Sequence, residues 1–237
     1  MDNNYNDYRY TPERIGDFRP SERTEASIIS KTYSLLAASF LPMLAGVATS
    51  YYFFPTLIRM LSGSAAVTLL LLLGVFYAMC YMVEKNRHNP AGVAWLFAFC
   101  FVMGAYAGLI AVAVAMTSGL KVVLTALAMA TGAFASMAAV GHIAKFNSAR
   151  LNGFVTAGVI VVMIGVVANI FLQIPVLMLT ISGMVVILSC VMIAWQVRRM
   201  VEGGEDSHVS CALSLFISFI NLFLSILNIL SAFSGRN

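Results

Sequence analysis

Amide and hydroxyl side chains are the polar groups that this sequence places within its long apolar runs. The six that stand out are Asn169, Gln173, Gln196, Ser218, Asn221 and Asn228. Buried amides in a helical bundle most often hydrogen-bond to neighbouring helices, and they can also line a narrow polar path. The residue types leave both roles open. We therefore treat Asn169, Gln173, Asn221 and Asn228 as a candidate polar lining of a bundle.

Side chains suited to acid–base, nucleophilic or metal chemistry are missing from the interiors of these runs, which contain no Asp, Glu, Lys or Arg. His88, His142 and His208 are widely separated, and the four cysteines lack metal-ligand spacing. Proton-coupled transporters need buried ionisable groups. Hydrolases that work within a membrane need paired aspartates, a nucleophile with its base, or a metal site. The sequence predicts that the protein is not an enzyme and has no cofactor or metal ion.

Composition indicates the class of protein that must position these polar groups. Of the 237 residues, 60% are hydrophobic and only 10% are charged, whereas a soluble domain carries about 25% charged residues. The charges cluster between apolar runs that are long enough to cross a bilayer as helices. The net charge of +4 comes from basic residues at the ends of these runs, with no basic patch that suits nucleic acid. We predict a polytopic protein embedded in a lipid bilayer.

The chain divides into a polar tail and an apolar domain. Residues 1–28 hold six acidic side chains, four arginines and helix-breaking Pro and Gly, so we expect a disordered cytoplasmic tail. Fully extended, this tail reaches roughly 90–100 Å. Residues 29–237 are predicted to form an all-α integral membrane domain of seven transmembrane helices. The spans are expected at about residues 30–54, 63–83, 91–117, 120–143, 152–172, 175–197 and 209–233.

The last span has a polar face, although it contains no charge. Its polar residues recur at spacings of 4, 3, 4 and 3, which places them on one side of a helix; they are Ser214, Ser218, Asn221, Ser225 and Asn228. A polar stripe on a spanning helix avoids lipid and faces protein or water. We therefore expect the C-terminal helix to lie at the centre of the bundle, with the other six helices around it.

Lysine and arginine are unevenly distributed between alternate ends of the spans. With the N-terminus in the cytoplasm, eleven of the fourteen lie on the cytoplasmic side, and three, Arg59, Lys121 and Arg236, lie on the other. Cytoplasmic loops carry the excess of basic residues in membrane proteins. We predict a cytoplasmic N-terminus and a C-terminus outside the membrane.

Small residues predict where helices approach each other closely. Gly104 and Gly108 are four residues apart and form a small-xxx-small motif in the third span. Such motifs serve packing within one chain more often than dimerisation, and we expect the first of these roles here.

Several blocks of this sequence resemble one known family. They are residues 165–175, residues 203–205 together with 218–227, residues 89–92 with 96–99, and residues 31–36. From about residue 29 onward the chain is similar to the Bax inhibitor-1 (transmembrane Bax-inhibitor-motif) family. The likeness is greatest to a bacterial branch described as modulators of the membrane-anchored AAA protease FtsH. This resemblance implies a seven-helix fold in which six helices surround the last one.

The resemblance implies one function as a calcium or small-cation leak channel. In such members a pair of aspartates near the cytoplasmic ends of helices six and seven shares a proton and closes the pore. The matching positions here are Gln196 and Ser218. Neither side chain ionises, so the coupled titration that senses pH is missing. We keep a calcium leak, gated by other means, as the alternative function.

The resemblance implies a second function, which we favour: a membrane interaction protein that binds and slows an FtsH-like quality-control protease, with a role in stress response. Proteases of this type draw substrates in from a flexible cytosolic end. The expected point of engagement is the tail, from Met1 to Glu25. The expected location is the inner membrane of a bacterium. The sequence leaves the oligomeric state, the physiological partner and any conducted ion open.

Overall fold

A computed structural model describes residues 22–61, 65–144 and 148–234 of the chain. This part of the protein consists of helices joined by short connections, and it contains no β-strand, which confirms the all-α class. The helices are α1 (Glu22–Tyr52), α2 (Phe54–Leu61), α3 (Ala65–Lys85), α4 (Pro90–Ser118), α5 (Leu120–Ile143), α6 (Ser148–Leu172), α7 (Pro175–Val201) and α8 (His208–Ser234).

The first helix begins earlier than the sequence predicts. It starts at Glu22, so the backbone of residues 22–28 is helical, whereas we expected these residues to belong to the disordered tail. Glutamate, arginine and alanine in this segment are good helix formers, which allows the apolar helix to extend toward the tail. The helix continues through Pro42. The remainder of the predicted tail, residues 1–21, lies outside the described residues.

A short helix, α2, follows the first long one and was not anticipated from the sequence. Its eight residues include Pro55 at the second position. A proline is tolerated there, because the backbone N–H groups of the first turn have no hydrogen-bond partner within the helix. Phe54 and Ile58 are four residues apart and so share one face of α2, and Arg59 is in its last turn. This arrangement suits a helix that lies at the membrane surface between two spans.

Among the described residues, six helices are long and apolar enough to cross a membrane: α1 from Ser27, α4, α5, α6 from Leu151, α7 and α8. The remaining long helix, α3, has 21 residues and matches the position of the second predicted span. The other ends of the long helices lie within about four residues of the predicted ones. A count of seven membrane spans stays a prediction.

The C-terminal helix, α8, is the most buried of the candidate spans. In its most apolar stretch 61% of the residues are buried, compared with 6% for α6. Helices α1, α3, α4, α5 and α7 all pack against it. Aromatic rings from four of these helices meet Phe216 and Phe219 directly or through one another; they are Phe40, Phe76, Phe99 and Phe134. Edge-to-face contacts of this kind stabilise a core and fix the position of α8.

The prediction that six helices surround the last one needs a correction at α6. This helix packs mainly against α7 and does not pack substantially against α8. Its described side chains are apolar on almost all faces, and Ile160, Ile164 and Phe171 are exposed. A helix that is apolar all round is stable in lipid without a central position. The structure therefore places five long helices around α8 and one outside them.

The closest helix pair in the bundle is α1 with α4. A Cβ atom on Gly46 would overlap the carbonyl oxygen of Phe101, and one on Gly104 would overlap that of Met43. The hydroxyl of Ser50 donates a hydrogen bond across the pair to the Ala105 carbonyl, 2.5 Å away. The small-xxx-small motif of the fourth helix thus serves packing within the chain, as expected.

Candidate functional site

When the loops are counted with the helices, most polar side-chain contacts between different elements of the described residues lie at one end of the bundle, which we call the charged end. Helices α1 and α8 begin there, and α3, α5 and α7 end there. The hydroxyl of Tyr33 in α1 lies 3.1 Å from Nε2 of His142 in α5. The hydroxyl of Ser210 in α8 donates to Glu84 of α3, 2.9 Å away. The charged end is therefore a single assembled surface built from several helices.

Gln196 lies in this region, near the end of α7. Its side chain is 4% exposed and lies beside the thiol of Cys211 in α8. Thr32 of α1 lies beside the same thiol. The hydroxyl oxygen of Thr32 is buried and has no hydrogen-bond partner of ordinary geometry among the described residues. The three side chains make a neutral polar cluster that joins α1, α7 and α8. Glu205, in the loop above it, pairs with Arg199 at 2.7 Å.

Ser218, the other position that we predict to match the aspartate pair of the Bax inhibitor-1 family, is also buried. Its hydroxyl donates to the backbone carbonyl of Ser214, 2.9 Å away in its own helix. The hydroxyl therefore makes its hydrogen bond within its own helix, as serines within apolar helices commonly do. Neither Gln196 nor Ser218 supplies a charge, so this position of the fold contains no carboxylate to share a proton.

The four amides of the candidate lining occupy different environments. Asn228 in α8 donates a hydrogen bond of 2.7 Å to the hydroxyl of Ser182 in α7. The amide nitrogen of Asn169 lies 3.5 Å from the sulfur of Met178, and its oxygen is buried without a partner among the described residues. Gln173 is exposed, has a positive φ of 50°, and closes the last turn of α6. Asn221 is exposed on α8.

These placements do not bring the four amides into one lining. Of the four amides, only Asn228 makes a polar contact between the central helix α8 and a helix that packs against it. Sequence reasoning missed its partner, Ser182, and the series to which Ser182 belongs. On α7, Ser182, Ser189 and Gln196 are spaced by seven residues, and all three are buried. A repeat of seven keeps side chains on one seam of a packed helix pair, which is the signal that could have identified them.

A second cluster at the charged end also escaped sequence reasoning. It ties the α3–α4 connection to the loop before α8. A guanidinium nitrogen of Arg87 and the Nε2 atom of His88 lie 3.6 and 3.7 Å from a carboxylate oxygen of Asp206. The hydroxyl of Ser207, which is buried, donates to the Arg87 carbonyl at 3.0 Å and accepts from the backbone N–H of Ser210 at 3.4 Å. Ser207 thus caps α8 and fastens it to a neighbouring loop.

The described side chains of the charged end are mainly hydroxyls, amides and ion pairs. Among the described residues, no group of three or more His, Cys, Asp or Glu side chains could hold a metal ion. Cys100 and Cys211 are buried, and Cys80 and Cys190 are partly buried. The segment from Met1 to Glu25, where we expect protease engagement, lies outside the described residues except for the helical backbone at its end.

Comparison with known proteins places this fold in a family. A family model described as "Inhibitor of apoptosis-promoting Bax1" matches residues 25–235. An uncharacterized protein of Neisseria meningitidis serogroup A is 39% identical over 228 residues, which is 94% of this chain and 98% of that protein. The Escherichia coli K12 protein named "Modulator of FtsH protease YccA" is 32% identical over 170 residues, 71% of this chain and 77% of that protein. Since the family model covers the chain from the start of α1 to the end of α8, this multi-pass membrane protein belongs to the Bax inhibitor-1 family.

Proposed function

We propose that this protein modulates a membrane-anchored AAA protease of the FtsH type and engages it through the N-terminal tail. The observation that carries the proposal is the 32% identity to a modulator of FtsH protease, which extends over most of both chains. The tail adds a means of engagement. Residues 1–21 precede α1 and reach about 70 Å when extended.

The proposed orientation puts this tail on the side where the catalytic part of such a protease works. We place the charged end of the bundle in the cytoplasm, because eleven of the fourteen Lys and Arg residues belong to the segments on that side. The tail then emerges beside the loops that join α3 to α4 and α7 to α8. The C-terminus lies on the opposite side of the membrane.

The packing of α1 supports the proposal that the protease extracts this protein from the membrane only slowly. A protease that draws in the tail applies its force first to α1, the helix that follows directly. This helix is held against α4 by backbone contact at Gly46 and Gly104 and by the hydrogen bond from Ser50 to Ala105. Interfaces that pack at backbone distance have many atoms in van der Waals contact and separate only when all of them are lost. The protein would occupy the protease while it resists extraction.

A calcium leak of the pH-sensing type is not what we propose. The two positions at which the family's aspartates would stand hold Gln196, beside a thiol, and Ser218, bonded to its own helix. A pair of neutral side chains has no proton to share. A leak gated in another way has no specific support among the described contacts.

The experiment that tests the proposal is competition for a reconstituted protease. We would place an FtsH-type protease in proteoliposomes with a labelled membrane substrate and add the full chain or a variant that lacks residues 1–21. A third chain, with the same 21 residues in scrambled order, controls for length and composition. The full chain should slow degradation of the labelled substrate severalfold, and the truncated chain should not.

Each other outcome has a definite meaning. If the truncated chain slows the substrate as much as the full chain does, the tail is not the point of engagement, although modulation stands. A scrambled tail that works equally well indicates that length and flexibility suffice. If none of the three chains changes the rate, the modulator function itself is wrong.

A further inference from the structure

A shallow, open cavity of about 360 Å³ lies at the charged end, between residues 30–38 of α1 and the first residue of α8. It is lined by Ser30, Lys31, Ser34, Leu35, Ala38 and His208. None of these side chains is acidic. Two are hydroxyls, one is an ammonium and one is an imidazole, so the mouth of the cavity presents hydrogen-bond donors and positive charge.

The positive charge at this cavity is not neutralised by the neighbouring loop. Lys31 lies close enough to His208 to act on it electrostatically. The two acidic side chains before α8 are engaged elsewhere, since Glu205 pairs with Arg199 and Asp206 lies against Arg87 and His88. No carboxylate of the described residues pairs with Lys31. Within the described part of the chain, the cavity therefore offers a cation without a carboxylate partner to an incoming anion.

The surface below the cavity is apolar. Leu35 and Ala38 form its inner wall, and on the same helix toward the membrane interior Leu41 is 71% exposed and Leu44 is 61% exposed. The distance along the helix from Lys31 to Leu41 is about 15 Å. A polar, cationic site thus sits at the top of an apolar strip that faces the hydrocarbon, and Lys31 can extend its ammonium to the headgroup level.

We propose that this cavity binds the phosphate of an anionic phospholipid, with an acyl chain along Leu41 and Leu44. A phosphate ester accepts hydrogen bonds from hydroxyls and pairs with an ammonium group. Basic pockets between membrane helices on the cytoplasmic side suit anionic headgroups, because that leaflet is negatively charged. This site is independent of the proposed protease function. It lies where the tail enters the bundle, so a bound lipid would hold α1 at the membrane surface.

Titration of the full chain in detergent, followed by native mass spectrometry, tests this site. The probes are phosphatidylglycerol, phosphatidylcholine with the same acyl chains, and glycerol 3-phosphate. Lys31→Gln removes the cation of the cavity. Lys85→Gln is the matched control, because Lys85 is an exposed lysine at the same end of the bundle but outside the cavity. A melting curve for each variant establishes that it is folded.

The native chain should bind phosphatidylglycerol in preference to phosphatidylcholine. Lys31→Gln should weaken phosphatidylglycerol binding about fivefold, as expected for one lysine near an anionic surface, and Lys85→Gln should leave it unchanged. Equal losses for the two variants, or no loss for Lys31→Gln, would overturn the site. If glycerol 3-phosphate binds as tightly as phosphatidylglycerol, the cavity is a site for small phosphate esters, and the lipid assignment is wrong.

Discussion

Helices α1 and α6 both use small residues to approach a neighbour, but they meet different atoms. A Cβ on Gly46 of α1 would overlap the backbone of α4. A Cβ on Gly158 of α6 would instead come within 2.8 Å of a terminal carbon of Leu188 on α7, which is the end of a flexible side chain. Backbone atoms cannot move aside without shifting a helix, whereas a leucine can change rotamer. The first helix is therefore fixed in the bundle, and α6 is attached more loosely.

The largest expected effect comes from filling the tight interface. Gly46→Ala or Gly104→Ala forces α1 and α4 apart and should lower the free energy of unfolding by about 1–3 kcal/mol each, as overpacking does. Gly158→Ala in α6 should cost distinctly less, because Leu188 can yield. Thermal unfolding in detergent measures the three values.

Gly183→Ala in α7 is the matched control for this series, since a Cβ at Gly183 would meet nothing within 4 Å. It should be neutral or raise stability by up to about 1 kcal/mol, the difference in helix propensity between glycine and alanine. If Gly104→Ala behaves like this control, α1 and α4 do not touch at backbone distance. The contrast between α1 and α6, and the resistance to pulling that we derive from it, would then be lost.

A smaller effect is expected where α8 is fastened at the charged end. Ser207→Ala removes the cap of α8 and leaves the Arg87 carbonyl without its donor, so we expect a loss of about 1–2 kcal/mol. Asp206→Asn, in the preceding position, weakens the exposed ion pair with Arg87 at 3.6 Å and the contact with His88 at 3.7 Å, and it should cost less than about 0.5 kcal/mol. Unfolding of both variants at low salt gives the comparison. Equal losses would mean that charge, and not the buried serine, holds this end.

The sequence predicts the helices of this protein well because membrane spans are recognised by length and apolarity alone. The central position of α8 follows from its polar face, because polar groups on an uncharged span tend to avoid lipid; Ser218 and Ser225 are buried as this predicts, and Asn221 is the exception. Contacts across the bundle are harder to predict. Ser182 and Ser189 look like ordinary small residues in an apolar helix. Only their spacing of seven residues indicates that they lie on one packed face of α7.

The two misplacements have separate physical causes. The helical start at Glu22 depends on local propensity, and we gave more weight to the charges of this segment than to its good helix formers. The outer position of α6 depends on how well its side chains pack against the other helices. Hydropathy does not indicate this, because an apolar face is stable against either lipid or protein. Gln173 adds a third lesson. Its amide suggested a lining, but its backbone at a φ of 50° closes a helix, a role that composition does not reveal.

Another small effect is expected to distinguish the two asparagines of the polar face of α8, one of which is at the bundle centre and the other at its surface. Asn228→Leu removes the hydrogen bond to Ser182 and should cost about 0.6 kcal/mol, the average for such bonds between membrane helices. Asn221 is exposed, and an amide that faces hydrocarbon is unfavourable, so Asn221→Leu should leave stability unchanged or raise it slightly. Unfolding in bilayers, not detergent, is the measurement, because the argument concerns lipid. A loss for Asn221→Leu as large as that for Asn228→Leu would contradict lipid exposure. It would mean that the amide of Asn221 is hydrogen-bonded in the membrane and that this face of α8 is covered.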